Sequence, residues 1–280
     1  MRPSVAPKAD LHAHSTASDG LLTPAELVDL AGRRGISLLA LTDHDTTAGL
    51  TEANAAAAER GLRVIQSIEL TTTVEPGEVH VLGYAVDPAS DELQSTLVRL
   101  RAARAQRAAR MLARLRELGI DLPEETLTAV GPDEAIGRPH IARAMIARGV
   151  VGTVDEAFRR YLGRGQLAYI PRDALDPPAA IQLIRRAGGL ATLAHPFSWP
   201  EFPNGLPALI DAGLGGLEVY YGEYNTEQRA ELAAIAAAHG LVATGGSDYH
   251  GPNYKEGREL GAVDIPEAAV ERFLAAIAAG

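Results

Sequence analysis

The chain has no cysteine among its 280 residues, which excludes disulfides, thiolate metal sites and a cysteine nucleophile. It has no apolar stretch near the roughly 20 residues needed to cross a bilayer. Met1–Pro7 carries no apolar h-region of a secretion signal. No Gly-rich Walker loop is present to cradle a nucleotide's phosphates. Positive charge is also short: 26 Lys and Arg face 36 Asp and Glu, for a net charge of −10. That balance argues against a surface built to grip long nucleic acid. A cytoplasmic protein with no membrane partner is the expectation. With 46% hydrophobic residues, the chain can build one large barrel or two modest domains.

What is present is an ordered set of imidazoles and carboxylates. In chain order they are His12, His14, Asp19, His44, Glu69, His80, His195, Asp248 and His250. Seven short apolar runs read as strands: Ala9–Ala13, Leu38–Thr42, Arg63–Glu69, His80–Ala85, Leu190–Ala194, Gly216–Tyr220 and Leu241–Thr244. Each candidate falls at or just past the carboxyl end of a run, except His80, which opens its own. That exception fits a strand entering in the opposite sense, or a distorted barrel. Helix signals lie between most runs. Thr23-Pro24-Ala25-Glu26 pairs an N-cap with Pro at the first helical position and Glu at N3. Further helices are expected over Thr47–Arg60, Ala179–Ala187 and Asn225–His239. Alternating strands and helices indicate βα units and a mainly parallel sheet.

The alternation breaks between Asp91 and Leu162, where Glu92–Leu118, Pro139–Arg148 and Val154–Tyr161 read as helical. The fold expectation is therefore an α/β protein, a distorted (β/α)7 barrel over 8–98 and 166–280, with a small inserted helical subdomain over 99–165 as a substrate cap. Catalytic groups in such barrels come from the carboxyl ends of several strands. Residues 91–164 hold 13 Arg against 10 acids, and the rest of the chain holds 13 Lys and Arg against 26 acids. The acidic part contains every candidate metal ligand, and bound cations would offset part of its charge.

His12 and His14 share one face of an extended segment, so both can reach one metal. Asp19 sits on a turn, and Glu69 ends a strand where a carboxylate can bridge two cations. Asp43 and Asp45, flanking His44, read as carboxylates that orient imidazoles. Alone, a His-x-His pair or a strand-ending carboxylate is ambiguous, but six of the eight His fall in these clusters. His, Asp and Glu without Cys is a ligand set for hard or borderline divalent ions doing hydrolysis.

Taken in order, His12-x-His14-Ser15-x-x-Ser18-Asp19-Gly20, Thr42-Asp43-His44-Asp45, the Glu69/His80 pair, Ala194-His195-Pro196 and Ser247-Asp248-x-His250 resemble the successive motifs of the PHP (polymerase and histidinol phosphatase) family. The resemblance spans Asp10 to His250 and is strongest to stand-alone bacterial phosphoesterases with a helical insertion, including 3′,5′-nucleoside bisphosphate phosphatases. It implies a trinuclear centre with the nine residues as ligands, Glu69 as bridge, and three divalent ions, Mn²⁺ by family and Fe or Zn by ligand type. It also implies that His195 and Asp19 take part in catalysis, with a metal-bound hydroxide attacking phosphorus.

Within the insertion, Gly137-Arg138-Pro139-His140-Ile141-Ala142-Arg143 resembles the Arg-x-His segment of the nucleotide-processing members. An Arg before a helix start is an anion site, so Arg138, His140 and Arg143 are expected to clamp a phosphate. Tyr221, with Tyr220 and Tyr224, is a candidate for stacking on a nucleobase. The stripe Arg101, Arg104, Arg107, Arg110 and Arg114 reads as a solvated helix face or as a basic wall for phosphates. The reaction expected is removal of the 3′-phosphate from adenosine 3′,5′-bisphosphate to give AMP. The alternatives are 5′-to-3′ release of mononucleotides from short RNA ends, a small-metabolite phosphatase acting on a substrate such as histidinol phosphate, and a non-catalytic metal-binding module.

Overall fold

The structure, a computed structural model, describes residues 7–74, 77–123, 125–128, 131, 133–252 and 254–279. The signal-sequence reading over Met1–Pro7 lies almost wholly outside them. Seven strands form one sheet in chain order: β1 (Ala9–Ala13), β2 (Leu38–Leu41), β3 (Arg63–Val74), β4 (Gly77–Tyr84), β5 (Leu190–Leu193), β6 (Gly216–Tyr221) and β7 (Val242–Gly246). Neighbours are parallel except around β4, which runs antiparallel to both β3 and β5. This is the physical reason that His80 opens its run. A reversed strand brings its amino-terminal half to the barrel end where the other strands finish.

The sheet curls until β7 meets β1. Asp248 N donates to His12 O at 2.8 Å, and His14 N donates to Tyr249 O at 2.9 Å. Gly246 permits that approach, since a Cβ there would lie 2.4 Å from His12 N. The result is the expected α/β barrel of seven strands.

The helices are α1 (Pro24–Arg33), α2 (Leu50–Ala58), α3 (Asp91–Glu117), α4 (Glu125–Thr128), α5 (Arg138–Ala147), α6 (Val154–Ala157), α7 (Pro177–Arg186), α8 (Leu206–Asp211), α9 (Thr226–Ala238) and α10 (Glu267–Ala279). The capping box at α1 forms as expected: Thr23 Oγ1 accepts from Glu26 N at 3.2 Å, and Glu26 Oε2 accepts from Thr23 N at 2.9 Å. One expectation changes. The helix predicted over Val154–Tyr161 is α-helical only to Ala157, then widens into a π-helical turn, Phe158–Leu162. Gly163 N donates to Phe158 O at 2.8 Å, an i→i+5 bond. Neither α8 nor α10 was expected from the sequence.

Two ends of the barrel differ in chemistry. Leu82 and Tyr84 follow His80 at two-residue steps on one face of β4, carrying the interior from imidazole to hydrocarbon. Tyr84 is fully buried, meets the Phe273 ring of α10 edge-on at 4.9 Å, and donates its hydroxyl to Leu11 O at 2.9 Å. Burial of such aromatic pairs stabilises the closed end by area and by ring geometry. The other end is polar and open.

Helix α3 spans two cores. Leu93, Leu97 and Leu100 pack in the barrel's cluster. From Ala108 onward, Met111, Leu112 and Leu115 pack with Ile141, Ala142, Met145 and Leu162 in a separate cluster. The arginine stripe on this helix divides rather than forming one face. Arg104 and Arg107 are buried while Arg110 and Arg114 are exposed. A solvated stripe is therefore the wrong description of its inward half.

Candidate metal centre

All nine expected ligands converge at the open end of the barrel. The pairing of β3 with β4 sets Thr71 opposite His80. Glu69, two residues from Thr71, therefore lies diagonally across from His80 on the same face. His80 Nδ1 is 2.8 Å from Glu69 Oε1, and His195 Nε2 is 3.3 Å from the same oxygen. The other oxygen, Oε2, lies 3.2 Å from His12 Nε2, 3.1 Å from His14 Nε2 and 3.2 Å from His44 Nδ1. Asp248 Oδ1 is 3.2 Å from His14 Nε2 and 3.5 Å from His12 Nε2. Asp19 Oδ1 is 3.3 Å from His250 Nε2, and its Oδ2 is 3.9 Å from His44 Nε2.

Do these residues fit divalent cations? Among the described residues, three overlapping groups have donor atoms within 4.8 Å of one another: His14, Asp19, His44 and His250; His12, His14 and Glu69; His44, Glu69 and His80. Both ring nitrogens of His14 are buried without a hydrogen-bond partner. The close carboxylate oxygens sit beside its Nε2 but out of hydrogen-bonding alignment, which suits a shared cation and not an N–H donor. Burial pushes His44 down to about 3, against the pull of Glu69 and Asp19, whereas burial of His12 and His14 is outweighed by the carboxylates facing them, which raise both. Burial opposes ionisation of Asp248, yet Arg258, and after it His12, hold this carboxyl well below the usual range. The donor set fits.

Two ligands stand on strained backbone. His195 has φ of 28° and Asp248 has φ of 52°, and Asp45, beside His44, also has φ of 52°. Side chains with a Cβ rarely adopt such values, and they persist where the surroundings over-determine the conformation.

The carboxylates that orient the imidazoles differ from those expected. Asp43 accepts from Ser15 N, Ser15 Oγ and Ser18 Oγ at 2.8, 2.7 and 2.6 Å, so it holds the 15–20 turn. Asp45 accepts from Arg104 Nε at 2.6 Å, Arg172 Nη1 at 2.9 Å and Thr71 N at 3.1 Å. Neither contacts an imidazole through these bonds. Glu218, fully buried on β6, takes that role: its Oε1 lies 2.8 Å from His12 Nδ1, and its Oε2 accepts from His195 N at 2.6 Å. Accepting from Nδ1–H leaves His12 Nε2 free to coordinate. A lone carboxylate inside the apolar run Gly216–Tyr220 was the signal that could have found it.

A cavity of about 610 Å³ opens on this centre. Its wall carries Arg104, Arg107, Arg138 and Arg172 on one side and Tyr221, Tyr254 and Arg258 on another. Arg138 Nη2 donates to Glu78 Oε2 at 2.5 Å, and its guanidinium lies 5.2 Å from the Phe158 ring. His140 and Arg143 are placed differently and are not part of the wall. His140 Nδ1 accepts from Gly137 N at 3.0 Å at the start of α5, and Arg143 Nη1 donates to Asp19 O at 3.0 Å. Tyr221 is buried, with its hydroxyl donating to Asp248 Oδ2 at 2.8 Å. Arg172 and Arg258 carried no motif, so the sequence did not single them out.

A barrel with this donor set at its open end defines a metal-dependent hydrolase. Comparison with known proteins sharpens that class. A profile of the PHP domain matches residues 10–121. The chain is 38% identical to a 3′,5′-nucleoside bisphosphate phosphatase of Chromobacterium violaceum, over 92% of each protein. It is 36% identical to a 5′-3′ exoribonuclease of Haemophilus influenzae, over 95% of this chain and 99% of that protein. A crystal structure from Bifidobacterium adolescentis, assigned as a metal-dependent phosphoesterase, superposes with a TM-score of 0.86 at 37% identity, over 95% of each chain. The chain belongs to the PHP domain family, and its enzyme class is that of the family's metal-dependent phosphoesterases.

Proposed function

We propose that the protein hydrolyses the 3′-phosphate of nucleoside 3′,5′-bisphosphates, converting adenosine 3′,5′-bisphosphate to AMP and phosphate. One observation supports this reading: four arginines, Arg104, Arg107, Arg138 and Arg172, line the same cavity as the convergent ligand set. A substrate with two phosphates can place one at each. The Chromobacterium relative, similar over nearly its whole length, supports the choice.

Three divalent cations, Mn²⁺ by preference, would be held by His12, His14, Asp19, His44, Glu69, His80, His195, Asp248 and His250. When bound, they supply Lewis acidity at phosphorus and lower the pKa of water. The chain's own groups do the rest. Glu218 holds the His195 backbone through its amide, and Ser198 fixes the ring, with Oγ 2.8 Å from Nδ1. His195 and Asp19 are the members of the set assigned a catalytic part at the reacting phosphate. Arg138 grips the second phosphate, with Arg104, Arg107 and Arg172 adding positive potential around it. His140 and Arg143 act from behind, ordering the start of α5 and the Asp19 turn. Tyr221 and its neighbours form the aromatic side of the cavity. Residues 99–165 serve as the substrate cap. Among the described residues no helix is long and apolar enough to cross a membrane, and we assign the enzyme to the cytoplasm.

A second reading, stepwise release of 5′-mononucleotides from RNA ends, is supported by the Haemophilus relative and by the same pair of subsites. The deciding assay offers Mn²⁺-loaded protein adenosine 3′,5′-bisphosphate, a 5′-phosphorylated oligoribonucleotide and histidinol phosphate. Preferred conversion of the bisphosphate to AMP is expected. Preferred turnover of the oligonucleotide would select the second reading, and turnover of histidinol phosphate alone would overturn both.

A further inference from the structure

The two oxygens of Asp248 live in different surroundings. Oδ1 points inward to His12, His14 and His250, 3.3 Å from His250 Nδ1. Oδ2 points outward, where it accepts from Tyr221 OH at 2.8 Å and lies 2.8 Å from Arg258 Nη1. The guanidinium is itself held. Its Nε donates to Glu223 Oε1 at 2.5 Å, its Nη2 donates to Tyr221 OH, and Lys255 Nζ donates to the other Glu223 oxygen at 2.6 Å. The Tyr221 and Tyr254 rings lie 5.4 and 6.0 Å from the guanidinium, and Tyr254 in turn stacks on His250 at 4.8 Å. The planar fork meets Asp248, Tyr221 and Glu223 with three separate nitrogens, Nη1, Nη2 and Nε, whereas an ammonium would have to reach all three from a single nitrogen.

We propose that Arg258 is a positioning residue of the metal centre, fixing Asp248 as a one-oxygen ligand and carrying the charge of its other half. This rests on the metal-centre reading above. A carboxylate free to turn would chelate a cation through both oxygens and fill a coordination position that substrate needs. Arg258 and Tyr221 together deny that geometry, and the Glu223–Lys255 pair keeps Arg258 from following a substrate phosphate into the cavity. Partners behind a ligand of this kind are typically worth about 10–100-fold in metal affinity.

The test uses full-length protein reconstituted with Co²⁺, whose visible absorption weakens as coordination number rises. Wild type, Arg258→Met and Arg258→Lys are compared by calorimetric Co²⁺ affinity and by spectrum. Arg258→Met is expected to bind about 10–100-fold more weakly and to show a weaker d–d band per bound ion. Arg258→Lys should share the weakened band of Arg258→Met, because an ammonium keeps the positive charge and loses the fork that holds Oδ2. An affinity and spectrum for Arg258→Met matching wild type would overturn the proposal. If Arg258→Met does not fold, Arg258→Lys decides: it keeps the positive charge and loses the fork on Oδ2, so a wild-type spectrum there also overturns it. Failure of the wild type to take up Co²⁺ would sink the metal-centre reading itself, an outcome distinct from normal uptake with an unmoved mutant spectrum.

Discussion

Replacing Asp45 with Asn tests how the inserted helices are tied to the metal centre. Asp45 follows His44 and is fully buried. Its Oδ2 takes Arg104 from α3 and Arg172 from the chain returning to the barrel, while Oδ1 takes Thr71 N. Burial raises the carboxyl's pKa, but Arg104 and then Arg172 overcome that and bring it down to about 2 from 3.8. The difference corresponds to about 2 kcal/mol of stability. An amide cannot satisfy both sides, because one orientation sets its N–H₂ against two guanidiniums and the other against Thr71 N. Breaking a buried pair in this way typically destabilises by about 3–5 kcal/mol. The expected loss is thus ~2–5 kcal/mol, or a fall in Tm of roughly 4–20 °C at the ~2–4 °C per kcal/mol typical of large domains. The sign with pH follows from the depressed value. The ionised carboxylate's contribution is complete above the unfolded pKa of 3.8, is roughly half gone near pH 3, and is lost as pH falls through about 2. Urea denaturation of chelator-treated wild type and Asp45→Asn at pH 7 and pH 3 measures both quantities. A gap below about 1 kcal/mol at pH 7, well under the range for buried pairs, or a gap that does not narrow at pH 3, would refute the reasoning.

Two further outcomes follow from the site. Arg138→Met should raise KM for the bisphosphate by about 10–100-fold, the scale of one charged hydrogen bond, with kcat less affected; an unchanged KM removes Arg138 from substrate binding. Glu218→Gln should weaken Mn²⁺ binding by about 10–100-fold, because Glu218 orders both His12 and His195; calorimetry showing wild-type affinity would contradict that role.

Strand-end ligands were legible because a barrel gathers the ends of its strands, so sequence position translates into spatial position. His80 shows how far this goes: the one ligand that opens its run sits on the one strand that runs backwards. What supports the ligands was less legible. Asp43 and Asp45 flank an imidazole in sequence, yet they bind serines and arginines, because backbone direction at a turn and not adjacency decides what a side chain meets. Glu218 could have been found, as an unpaired carboxylate in an apolar strand demands a partner. Arg172 and Arg258 could not, since nothing in their local sequence reports which distant carboxylate they neutralise. The stripe on α3 misled for a related reason. Helical periodicity says which residues share a face but not whether that face meets solvent or, as at Arg104, a buried aspartate.

The account rests on imidazoles and carboxylates drawn from across the chain enclosing divalent ions. Anomalous diffraction from crystals soaked in Mn²⁺ tests this most directly. The expected result is a cluster of peaks bounded by His12, His14, His44, Glu69 and Asp248, within ordinary Mn–N and Mn–O distances of them. Crystals that show no peak there, or peaks only at surface carboxylates, would contradict it.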